Sequence, residues 1–154
     1  TPAGTERQTL LTLNEVCVLP AGHPLAEKSR LTPQDFSGLN YISLSATDSY
    51  RQLLDTLFME QQVTRRLVME THSAASVCSM VREGAGVSIV NPLTALDYCD
   101  NGLVLREFSV AVPFTVSLIR PLHRPASALV TTFTEHCHQQ AQRFAGHIEA
   151  ALMR

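Results

Sequence analysis

Residues 69–92, METHSAASVCSMVREGAGVSIVNP, decide the fold. The stretch opens on a strand end, crosses the polar turn Thr71-His72-Ser73, and continues as AASVCSMVR, which sets Val77, Met80 and Val81 on one helical face. Gly84-Ala85-Gly86 closes that helix, and Val87-Ser88-Ile89-Val90 enters a second strand at once. Such a strand–helix–strand unit is a parallel crossover. It puts the helix N-terminus, with its unpaired N–H groups, at the C-terminal ends of the strands, where open α/β sheets take ligands.

The pattern repeats upstream. Tyr41-Ile42-Ser43-Leu44-Ser45 reads as a strand, and Ala46-Thr47-Asp48-Ser49 as the cap of a helix with Tyr50, Leu53, Leu54, Leu57 and Phe58 on one face. Leu67 to Thr71 returns as a strand, so three parallel strands are expected side by side. Further upstream, Thr9 to Pro20 reads as one long strand stopped by Pro20-Ala21-Gly22-His23-Pro24, and Leu31 to Phe36 as a short helix with Thr32 at the cap and Pro33 at its first position. Downstream, Leu93 to Tyr98 is helical, Asn101-Gly102 is a turn, and Leu103 to Phe108 and Phe114 to Arg120 are strands. From Ser127 a long helix repeats Leu129, Phe133, Cys137, Phe144, Ile148 and Leu152 on one side, an apolar stripe that must pack on something.

The expected architecture is α/β, a doubly wound αβα unit at residues 21–120. Residues 1–20 and 121–154 then look like a strand and a helix of a second, incomplete unit, and the chain reads as a piece whose remainder lies upstream.

Composition narrows the function. In 154 residues, 45% hydrophobic and 17% charged, there is enough apolar material for an ordinary globular core. The 12 Lys and Arg are scattered and the net charge is −2, which is no electrostatic footprint for nucleic acid. No apolar run reaches the length of a membrane span. Cys17, Cys78, Cys99 and Cys137 are far apart, without C-x-x-C, and are expected as free thiols in a reducing cytoplasm.

Two polar constellations fall at the ligand-binding edge. Ser43, Ser45, Thr47, Asp48 and Ser49 offer hydroxyls and N–H groups to a carboxylate, sulfate or phosphate, although one of them suffices to cap the helix. Glu70, Thr71, His72 and Ser73 meet the same edge, with Glu70 suited to an ammonium group and Ser73 equally explained as a cap. Gly84-Ala85-Gly86 follows a helix, the reverse of a nucleotide-binding loop, and is read as packing. His136-Cys137-His138 point about 100° apart on a helix and cannot converge on one metal ion, so Cys137 is expected to pack and both histidines to meet solvent. No nucleophile stands beside a base, so no enzyme, metal or cofactor is expected.

These residues together resemble a known family. VCVLPAGHPL at 16–25, LTPQDF at 31–36, YISLS at 41–45 and SMVREGAGVSIVNP at 79–92 look like the effector-binding domain of LysR-type bacterial transcriptional regulators, across nearly the whole chain. The resemblance implies a periplasmic-binding-protein-like (type 2) fold of two subdomains with the effector between them, and an N-terminal helix-turn-helix, absent here, that binds promoter DNA. It maps effector contacts onto Ser43, Ser45, Thr47 and Ser49 and onto Thr71, His72 and Ser73, and the hinge onto Leu19 to Ala21. TDSYRQLLD and ETHSAASVC bring it nearest to the branch that activates lysine biosynthesis, whose implied effector is diaminopimelate; Asp48 and Glu70 would suit its ammonium groups. Homo-oligomerisation is implied with it. A solute-binding protein of the same fold is the alternative.

Overall fold

The computed structural model describes residues 1–154. Its strands are β1 (Thr5–Asn14), β2 (Val16–Pro20), β3 (Arg30–Leu31), β4 (Asn40–Leu44), β5 (Arg66–Thr71), β6 (Ser88–Val90), β7 (Leu103–Phe108) and β8 (Pro113–Pro121). Its α-helices are α1 (Ser49–Glu60), α2 (Ala74–Arg82), α3 (Pro92–Tyr98) and α4 (Ala128–Leu152).

β5 pairs in parallel with β4, and β6 joins β4 on its other side through Ile42 N–H to the Val87 carbonyl (3.0 Å) and Val87 N–H to the Asn40 carbonyl (2.9 Å). β2 runs antiparallel between β6 and β7, and β3 lies parallel to β7 at the far edge. The order is therefore β5-β4-β6-β2-β7-β3, wound by α1 between β4 and β5 and by α2 between β5 and β6.

The central strand explains the layering. VCVLP is apolar at successive positions because both of its faces are covered. Val16 and Val18 pack with Val77, Cys78 and Val81 of α2, Ala95 of α3 and Ala151 of α4. Cys17 and Leu19 pack on the opposite side with Leu31, Phe36, Phe108 and α1's Leu54 and Phe58. Phe36 sits edge-on to Tyr41, Phe58 and Phe108, with ring centroids 5.6–6.1 Å apart. These are the two apolar layers of an αβα sandwich.

The two glycines of the decisive stretch do different things. Gly84 takes φ +85° to end α2, in open space. At Gly86 a Cβ would stand 2.6 Å from the Asn40 carbonyl oxygen, so only glycine lets β6 lie this close to β4.

Two local expectations are revised, and a third, the short helix capped by Thr32, is met and refined. Thr9–Pro20 is two strands, interrupted at Glu15: β1 leaves the sheet to pair with β8 over Thr5–Asn14 and Pro113–Pro121, while β2 stays inside it. The segment after Thr32 is a 3-10 turn, Pro33–Phe36, held by Asp35, whose carboxylate accepts from Thr32 N–H (2.8 Å) and Oγ1 (3.1 Å). The stripe on α4 is covered only in its second half: Ala141, Ile148 and Ala151 are buried, while Leu129 and Phe133 are 79% and 62% exposed. No helix is long and apolar enough to cross a membrane.

Candidate functional site

Register brings the two polar constellations together. Ser43 lies opposite Glu70 and Leu44 opposite Thr71, so both strands release their loops at one edge. α1 and α2 begin there, and so does α3, because β6 ends alongside at Val90. Each start is capped by its own side chain: Asp48 accepts from Arg51 N–H (3.0 Å), Ser73 from Ser76 N–H (3.3 Å) and Asn91 from Thr94 N–H (2.8 Å). A cap satisfies one donor and leaves the earlier N–H groups of the first turn open, with the positive end of the helix dipole behind them.

The hydroxyls differ in depth. Ser43 and Ser45 are buried at 2% and 8% exposure, and Ser45 Oγ lies 3.2 Å from Thr47 Oγ1. Thr47, Ser49, His72 and Ser73 are exposed, and Asp48 and Thr71 are half-buried. Thr71 Oγ1 receives the Ser73 N–H at 3.4 Å.

Glu70 is exposed but engaged. Arg51 reaches it at 3.1 Å while also donating to Asp55 (2.6 Å) and to the Leu44 carbonyl (2.7 Å), so one guanidinium ties α1 to β4 and β5. The ammonium-binding role expected for Glu70 therefore meets a competitor already in place. Arg51 escaped the sequence reading, although its four-residue spacing from Asp55 was a visible signal.

Glu15 escaped it too. It lies at the break between β1 and β2, next to the Val16–Val90 pair, on the same edge as Asn91 and the α1 start. It is 3% exposed, its N–H donates to the Val112 carbonyl at 2.8 Å, and its side chain makes no hydrogen bond. Burial, reinforced by the charge of Asp48, pushes its carboxyl up from 4.5 to about 8. The signal was a lone acid inside an apolar run, LTLN-E-VCVLP.

Other candidates lie elsewhere. Leu19–Ala21 end β2 at the opposite edge, where a cavity of about 320 Å³ is lined by Pro20, His23, Asn40 and the Gly84–Val87 strand entry, with no acidic or basic side chain besides His23. His136 is exposed, but His138 is half-buried with Nε2 sealed and unpartnered, so only one of the two histidines expected in solvent is there. Burial raises the thiols of Cys17 and Cys78, the latter to about 12, and Cys99 faces Asp100 and Arg154. None of these three is an activated nucleophile.

Residues 1–142 match the family model for the LysR substrate binding domain. The chain belongs to that family. The LysR-type domain is 68% identical over 152 residues to the transcriptional activator protein LysR of Escherichia coli K12, covering 99% of this chain and 49% of that protein. The chain thus spans about half the length of this relative, and 43% of the regulatory protein NocR of Agrobacterium tumefaciens, to which it is 31% identical. Among solved structures, the regulatory domain of Synechocystis PCC6803 CcmR in complex with 2-PG superposes with a TM-score of 0.70 at 18% identity, covering 92% of this chain and 70% of that one. The relatives are transcriptional regulators rather than enzymes. The CcmR domain holds 2-PG and the effector binding domain of QuiR, of the same fold at a TM-score of 0.65, holds shikimate; the fold of this chain is that of these periplasmic-binding-protein-like regulatory domains.

Proposed function

We propose that this chain is the effector-sensing part of an activator of lysine biosynthesis, acting in the cytoplasm, and that its effector is diaminopimelate or a similar amino dicarboxylate. The observation that carries this reading is the convergence of the open α1 and α2 N-termini, with Ser43, Ser45, Thr47, Ser49, Thr71, His72 and Ser73, on one sheet edge. Each N-terminus suits one carboxylate. A molecule with two carboxylates matches two such ends, and Asp48 adds a negative group beside them.

The edge is one wall. We place the second wall on residues outside this chain, approached across the β1–β8 ribbon. Because β2 is paired within the sheet, we set the hinge where the ribbon leaves it, at Glu15 and at residues 109–112, rather than at Leu19–Ala21. Effector binding between the walls favours one hinge angle, and promoter DNA, contacted through residues outside this chain, reads the change.

Calorimetric titration of the full-length regulator with meso-diaminopimelate tests the site. Saturable binding is expected, and Ser45→Ala or Thr71→Val should weaken it about three- to tenfold by removing one hydrogen bond. Unchanged affinity in both variants removes these loops from the site.

A further inference from the structure

The ion pairs of this protein use Arg51, Arg65, Arg30, Arg82, Arg120, Arg154 and Lys28, and none reaches Glu15. Its carboxylate also accepts no hydrogen bond from the chain. A buried acid without a partner is costly, and folds retain one only where something else compensates.

Its position says what compensates. Asp48 stands close enough to repel it, and Tyr50 senses both acids. Tyr50 in turn lies against Phe114 of β8, with ring centroids 6.1 Å apart. Glu15 is therefore set between the α1 start and the root of the ribbon, on the edge where the effector is proposed to bind. Arg51, in the first turn of α1, is already taken up by Asp55, Glu70 and the Leu44 carbonyl.

We propose that Glu15, backed by Asp48, is the ammonium-binding residue of the cleft and selects amino-bearing effectors over plain dicarboxylates. This deepens the proposed function and rests on the same site. The two helix N-termini hold carboxylates without discriminating what lies between them; the paired acids supply the discrimination, since a cationic nitrogen relieves both the burial of Glu15 and its repulsion by Asp48. At neutral pH the incoming cation displaces the proton that Glu15 carries, so binding releases a proton to solvent.

The test uses the full-length regulator and three probes: meso-diaminopimelate, pimelate, which has only the carboxylates, and 1,5-diaminopentane, which has only the ammonium groups. Expected is a loss of about tenfold or more in diaminopimelate affinity in Glu15→Gln, with pimelate unaffected or bound better. Diaminopimelate binding should give buffer-dependent heats in the wild type that vanish in Glu15→Gln. Asp48→Asn, which keeps the helix cap, should lose less, and Glu15→Asp should restore part of the affinity. Equal diaminopimelate affinity in wild type and Glu15→Gln overturns the proposal, as does an absence of binding by any amine. If diaminopentane binds in a Glu15-dependent way and diaminopimelate does not, Glu15 keeps its role and the diaminopimelate reading fails. If pimelate binds and Ser45→Ala weakens it while no amine binds, the cleft stands and Glu15 does not.

Discussion

Glu15 shows how a single residue can carry a measurable signature of the site it occupies. Its carboxyl is raised from 4.5 to about 8, chiefly by burial and secondarily by Asp48, so the folded chain holds this proton more tightly than the unfolded one. The group's contribution to stability is therefore complete below about pH 4.5 and declines as pH rises toward 8, by at most roughly 1.4 kcal/mol per pH unit, before levelling. Glu15→Gln removes that decline. Urea unfolding of both proteins across about pH 5 to 9 checks it: the variant's advantage should grow with pH, and parallel curves would show that Glu15 has a normal titration. The residue was hard to place from sequence because its neighbours Asp48 and Tyr50 are more than thirty positions away. They become neighbours only when β2 runs antiparallel into the sheet, a pairing that local periodicity does not report.

At the scale of elements, the crossovers were legible because each residue in them answers to its own helix or strand. Ser73, Asp48 and Ser127 cap the helices that the periodicity predicted, and Leu54, Phe58, Val77 and Val81 are buried on the expected faces. The parallel register then follows, and with it the meeting of Ser43–Ser49 and Glu70–Ser73 at one edge. The break of Thr9–Pro20 into β1 and β2 was not legible, since both halves have the same apolar character and differ only in their partners, β8 for one and β6 and β7 for the other. The glycine pair yields a prediction about strand packing. Gly84→Ala meets only left-handed backbone strain, worth about 1–2 kcal/mol, because nothing lies near its Cβ. Gly86→Ala must push β6 away from the Asn40 carbonyl, which is backbone and cannot swing aside. Thermal unfolding should therefore show the larger loss for Gly86→Ala, with effector binding falling as the β4 end shifts. A smaller loss at Gly86 than at Gly84 would mean that β4 yields freely.

At the scale of the molecule, the buried and exposed halves of α4 describe an incomplete surface. Its second half is anchored by Ala141, Ile148 and Ala151, whereas Leu129, Val130 and Phe133 stand in solvent; between the two, Cys137, Ala141 and Phe144 border an apolar recess with Leu10, Leu11 and Val116. A second apolar strip runs along the open edge strand β5, where Leu67, Val68 and Met69 are 39–47% exposed. Exposed apolar surface beside an unpaired strand edge favours association, with each large side chain that becomes covered contributing roughly 1.5–3 kcal/mol. The isolated 154-residue chain should consequently self-associate at tens of micromolar in sedimentation. Phe133→Asp should weaken that assembly through α4, and Val68→Lys through β5, so the two variants together assign the contact. A wild-type chain that sediments only as a monomer would show that neither strip suffices, and would leave their cover to the parts of the regulator that flank this domain.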